Sequence, residues 1–549
     1  MRLPKLLVTA ALLVVLPVTA AQADKKTVCT ITVNSADEKD IFRRYLPEGD
    51  YDFVELVERG RPDWLESACR QGVRCDVLLI SGHFDDGTQF YSDRPGAREY
   101  LPVDEMERAA CSESCPGVFN QLKEVYLFGC NTLNADVLRS TSSEVTRSLR
   151  RAGYSASDAE RVARLLDQQH GDSNRDRMRQ IFSGVPVIYG FSSKAPLGGV
   201  AASVLERYFQ SAGTGEIASG QPSTKLLSLF APVSMTVAPG LADGEAQGPY
   251  RRDVCEFADD RPTVAKKLSF IRSLLHRDVT EVRMFLERIE KQVMALTTAN
   301  RERTDVQVEL AAIAQDTLAR ERFLDFSRDV DQASTRARMI ELAHELGWLT
   351  VGEKRAELRH MLADQVARHA VGPAEIDLAC SLDTRHGLGS EIAALPKLEL
   401  TATVAHAAVL ACLRSPEARQ RVLQALSSKD QADVELAQVY LQHRPVTEVP
   451  ELRALATAVT RMNGSDSQVR ALEALARLQV SDPDTLHELA RLFPNAKSVS
   501  VQRAIAGVLI RADHSVLARP ELVRTLREHR LKSTQGPDVI DVLIRRLQS

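Results

Sequence analysis

The chain has 549 residues, of which 44% are hydrophobic, 26% charged and 5% aromatic, with a formal net charge of −4. That length provides for roughly two to four domains, and the composition is that of a helix-rich globular protein. So weak an acidic balance, with no basic stripe, argues against nucleic acid as a partner.

Residues 1–23 combine a basic start (Arg2, Lys5), an apolar run from Leu6 to Leu16 and the small-residue motif Ala21-Gln22-Ala23 before Asp24. The run is too short to span a bilayer, so it is predicted to be a cleaved secretory signal rather than an anchor. No cysteine follows the cleavage point, which argues against a lipoprotein. No later window is apolar enough to cross a membrane. The mature chain, with a charge of −6 once Arg2 and Lys5 are gone, is therefore expected in the periplasm or secreted.

From Lys26 to about Phe230 strand and helix signals alternate. Val28–Val33, Tyr51–Val57 and Cys75–Ile80 have strand character, and Glu38–Leu46 and Pro62–Arg70 are predicted helices. This order implies a mainly parallel sheet with helices on both faces. A small hairpin is expected over Gly87–Tyr91, a strand over Glu124–Phe128, and helices over Ser142–Ala152, Ser157–Gln168 and Asp176–Phe182. Val185–Phe191 is a further predicted strand, leaving at Ser192-Ser193-Lys194. Residues 238–261 open with a glycine- and proline-rich stretch and are predicted to be a linker, so that 24–237 forms an α/β domain. Beyond it strand signals stop. Residues 262–372 carry apolar residues at three- and four-residue steps, and 373–549 carry a weak repeat. Val434, Val469 and Val501 line up at steps of 35 and 32, which implies paired helices stacked as an α-solenoid resembling HEAT repeats.

Two strands end abruptly at glycine, one in Ser81-Gly82-His83-Phe84 and one in Phe128-Gly129-Cys130-Asn131-Thr132. Carboxyl ends of parallel strands are where open α/β sheets bind ligands, so an imidazole and a thiol 47 residues apart are predicted to face one crevice. Taken singly, Cys130 is a small hydrophobe and His83 a core residue. Together, at such a spacing, they suggest a nucleophile and its base.

Over residues 26–235 these motifs make the chain resemble the caspase-like cysteine peptidases, the clan that includes CHAT domains, gingipain and clostripain. The resemblance implies a His83/Cys130 dyad supported by Gly82, Phe84, Gly129, Asn131 and Thr132. It implies substrate contacts from Phe191, Ser192, Ser193 and Lys194, and recognition of a basic residue by Asp85 and Asp86. One position departs from the clan's pattern: Phe84 stands where glycine follows the histidine, and its ring is expected to crowd the scissile carbonyl, so that Phe84→Gly preserves or raises activity. The activity implied is that of an exported cysteine endopeptidase whose repeats bind a protein or peptide. The alternative is an inactive caspase-like domain joined to a binding scaffold. No cofactor or metal is called for.

Nine cysteines suit an oxidising compartment. Spacing predicts the pairs Cys69–Cys75, Cys111–Cys115 and Cys380–Cys412, elimination adds Cys29–Cys255, and Cys130 is left free. The remaining histidines, among them His170, are expected at helix ends or on surfaces.

Overall fold

The computed structural model describes residues 25–548 except 57–64, 85–86, 94–98, 113–114, 137–141, 152, 171–172, 212–213, 369–370, 390–402, 427, 429, 463, 478–479, 513–516, 518 and 532–537. The predicted signal, residues 1–23, lies outside them. The chain divides into two compact units, Met1–Phe270 and Ile271–Ser549.

The first unit is α/β. Strands β1 (Lys26–Thr32), β2 (Tyr51–Glu55), β3 (Val77–Ser81), β7 (Glu124–Phe128), β8 (Val187–Phe191) and β9 (Met235–Ala238) form one sheet in the order β2-β1-β3-β7-β8-β9. All neighbours are parallel except β8 and β9. A second, antiparallel sheet is made of β4 (His83–Phe84), β5 (Gln89–Tyr91) and β6 (Tyr100–Pro102). The expected hairpin is thus a three-stranded sheet that begins at the histidine itself.

Side chains alternate across the main sheet, and each set meets its own helical layer. Leu78, Ile80, Val125, Leu127 and Ile188 pack with α2 (Glu66–Arg70), α3 (Val103–Cys111), α4 (Pro116–Phe119) and α7 (Asn174–Ile181). Val77, Leu79, Tyr126, Phe128, Val187 and Tyr189 pack with α1 (Asp37–Tyr45), α8 (Gly198–Ser211) and α9 (Thr224–Phe230). Two further helices, α5 (Ser142–Arg151) and α6 (Ala156–His170), share a small cluster of their own around Val145, Leu149, Ala159 and Ala163.

The cysteines overturn three of the expected pairs. Cys29 on β1 is bonded to Cys75 before β3, Cys69 to Cys115, and Cys111 to Cys255. The physical reason is directional. Cys75 turns under the sheet, where Cys29 of the adjacent strand lies on the same face, so the short turn after Cys69 does not close on itself. Cys111 ends α3 and Cys115 precedes α4, and the two sulfurs bond different neighbours, Cys255 and Cys69. Cys380 is bonded to Cys412, and Cys130 is the free cysteine. Four disulfides fit a protein of an oxidising, extracytoplasmic compartment. Among the described residues no helix is long and apolar enough to cross a membrane.

The Cys111–Cys255 bond also corrects the linker. Residues 238–261 hold the end of β9 and a helix, α10 (Gly248–Ala258), which Cys255 ties to α3. Arg108 and Ser112 of the α3 end both bond Asp260, at 2.8 and 2.9 Å. Proteolysis at Ala242–Glu245 is therefore expected to leave one species of full mass on a non-reducing gel, which reduction splits in two. Separation without reductant would contradict the bridge.

The second unit is all helix, because its sequence has the 3.6-residue apolar period throughout and no strand-type alternation. Gln431–His443 packs on Ser465–Ala476, which packs on Val499–Leu509, which packs on Val539–Gln548, while Val449–Arg461 packs on Pro483–Leu492. Burial recurs at a step of 34: Ala437, Ala471 and Ile505, then Leu441, Leu475, Leu509 and Leu543. The side chains of Gln468 and Gln502, also 34 apart, each donate to a carbonyl nine residues back, at Val459 (3.1 Å) and Phe493 (3.2 Å). The uneven 35 and 32 steps aligned Val469 one place beyond Gln468 and Val501 one place before Gln502.

Candidate functional site

The pairing of β3 with β7 sets the site. Ser81 is opposite Phe128, and His83 and Cys130 each follow two residues later. The sheet reverses its winding between β1 and β3, so the crevice at their carboxyl ends borders His83. Val77 and Leu79 of β3 and Tyr126 and Phe128 of β7 face the α1/α8 side, Ser81 reaches Glu38 of α1, and the same period of two carried past the strand ends assigns His83 and Cys130 that direction. The side chains of His83 and Cys130 are both half-buried.

Glycines bring the two turns together. A Cβ on Gly129 would lie 2.8 Å from the Phe84 Cβ and 3.1 Å from the Gly82 carbonyl oxygen, so only glycine permits this approach. The Gly82 N–H donates to the Phe128 carbonyl at 3.1 Å, which makes it a strut between strand ends and not a donor open to a substrate oxyanion.

After Cys130 the backbone is held from both sides. Asn131 is left-handed (φ 59°), a region asparagine tolerates better than most residues. Its N–H donates to the Ser193 carbonyl at 2.7 Å, and its own carbonyl accepts from the Asn174 side chain at 3.0 Å. Thr132 is fully buried; its hydroxyl donates to the Gly129 carbonyl (3.2 Å) and accepts the Phe191 N–H (3.1 Å). Where the β7–β8 ladder ends, this threonine continues it.

Cys130 Sγ accepts the backbone N–H of Ala195 at 3.3 Å. Ser192, Ser193 and Lys194, on the same exit from β8, are exposed beside it, and Ser193 is fixed by a 2.7 Å bond to Ser234.

Two expected contacts are corrected. Phe191 is completely buried against Phe128 and Phe230, because it is the last inward residue of β8, and it offers nothing to a substrate. Phe84 is likewise inward, its ring 4.7 Å from that of Phe90 in the α2/α3 core. The pleat that presents His83 turns the next side chain into the core, so Phe84 does not crowd a carbonyl. Asp85 and Asp86 lie outside the described residues.

Three neighbours were not anticipated. Asp93 Oδ2 lies 3.1 Å from His83 Nε2. Arg177 binds the Gly87 carbonyl (2.6 Å) and Glu107 (2.8 Å), tying the loop after His83 to α3. Beneath the site the Ser81 hydroxyl donates to Glu38 at 3.1 Å, and burial pushes that carboxyl up to about 7. Glu38 carried no signal, being one acidic residue among several at a helix start. Asp93 was visible only through the period-2 register of a hairpin.

No protein-family model, no curated protein and no solved structure matches the chain.

Proposed function

We propose that the protein is an exported cysteine endopeptidase of the caspase-like type, with Cys130 as nucleophile and His83 as its base. The observation that carries this reading is the register: the one cysteine left free of four disulfides and a half-buried histidine follow paired residues of adjacent strands by the same two positions. His83 takes the proton from Cys130. The thiolate attacks a peptide carbonyl carbon, and the tetrahedral intermediate expels the amine, which takes the proton from His83. Water then attacks the thioester carbonyl, giving a proton to His83; the C–S bond breaks, the carboxylic acid leaves, and His83 returns the proton to the Cys130 thiolate. Ser192, Ser193 and Lys194 flank the nucleophile and contact the substrate. The helical half, with its 34-residue step and alternating helix contacts, is an α-solenoid that binds the protein substrate or a partner.

Labelling of the mature protein with a peptide bearing a thiol-reactive electrophile tests the dyad. The label is expected on Cys130 alone, with the rate in His83→Ala lower by at least about a hundredfold, the usual scale of general acid–base help. Equal rates in wild type and His83→Ala would leave the first unit as a binding scaffold.

A further inference from the structure

We infer that Asp93 is the positioning residue for His83, so that the site is a Cys130–His83–Asp93 triad. The inference rests on the peptidase reading of Cys130 and His83, and its test is separable from that reading.

The geometry is built by the small sheet. His83 pairs with Tyr91, and a strand's period of two puts Asp93 on the same face as both. The Tyr91 ring lies 5.5 Å from the imidazole and Asp93 Oδ2 lies 3.1 Å from Nε2, so the ring is held by an aromatic neighbour and a carboxylate. Asp93 is itself 65% exposed, yet its backbone is not loose. The adjacent Ser92 donates its hydroxyl to Asn34 at the end of β1 (3.0 Å) and its N–H to the Glu99 carbonyl (3.0 Å).

A carboxylate at Nε2 fixes the neutral ring as the Nε2–H tautomer. Nδ1 is then the only ring nitrogen with a lone pair, and it is the atom that accepts the Cys130 proton. The S–H bond breaks, the Nδ1–H bond forms, and the resulting imidazolium keeps its Nε2–H on Asp93. The carboxylate remains ionised throughout, acting through orientation and charge.

Two readouts decide the matter. Protein labelled with ¹⁵N-histidine reports the His83 tautomer by long-range ¹H–¹⁵N correlation, and iodoacetamide reports the reactivity of Cys130. Wild type is expected to show His83 as Nε2–H. Asp93→Ala is expected to mix the tautomers and to slow Cys130 alkylation by about 10- to 100-fold, at or below the low end of general-base effects. Asp93→Glu, which keeps the carboxylate, is expected to restore the tautomer and part of the rate, whereas a loss caused by misfolding would not follow the charge. An unchanged tautomer and rate in Asp93→Ala would overturn the inference even if the protein cleaves peptides. Conversely, peptide cleavage that survives Cys130→Ala would remove the peptidase reading and leave the tautomer result standing.

Discussion

Phe84→Gly is expected to destabilise the protein by about 3–5 kcal/mol, the range for deleting a buried aromatic side chain, and to raise no activity. Phe84 is 6% exposed and its ring lies tilted against that of the fully buried Phe90. Its Cβ stands against Gly129, one residue before Cys130, and its ring lies in the α2/α3 core, so the vacated space opens inside that core. Glycine adds backbone freedom at a strand residue, which costs further stability. Urea unfolding at constant pH, read beside labelling of Cys130, checks this. An unchanged midpoint with faster labelling would mean that the ring faces the substrate.

A second large effect comes from Glu38. Burial is the main cause that raises its carboxyl from 4.5 to about 7, so the folded state holds the proton more tightly than the unfolded chain does. The stabilisation is complete below pH 4.5 and is lost as pH rises through about 7. The slope is about 1.4 kcal/mol per pH unit, or about 3 kcal/mol in all. Glu38→Gln keeps an acceptor for the Ser81 hydroxyl and carries no charge. It is therefore expected to remove that slope and to be the more stable protein at pH 8. Urea titrations of both proteins at pH 4.5 and 8 measure the difference, and identical pH dependence in the two would place the titration elsewhere.

These two side chains also mark how far the sequence could be read. The strand ends at Gly82 and Gly129 were legible because an apolar run that stops at glycine is a local signal, and their register follows from parallel pairing. The order of strands and helices was legible for the same reason. The inward turn of Phe84 and Phe191 was not. Family resemblance placed them near a substrate, while the pleat alternation that decides the matter sends every second residue to the core. Cys380–Cys412 was legible and the other three disulfides were not. Cys29 meets Cys75 because β1 and β3 are neighbours in the sheet, although 46 residues separate them in sequence, whereas Cys69–Cys75 and Cys111–Cys115 relied on nearness along the chain and Cys29–Cys255 on elimination. The helices of the second half were legible, but the step of 34 between buried positions such as Gln468 and Gln502 was not.

The most direct measurement is the sequencing of new N-termini released from a mixture of denatured proteins by the mature wild-type chain and by Cys130→Ala. The account predicts a defined set of cleavages with wild type, none with Cys130→Ala, and at least about a hundredfold fewer with His83→Ala. The same cleavages from Cys130→Ala, or no cleavage by a wild-type protein whose Cys130 takes the peptide electrophile, would contradict it.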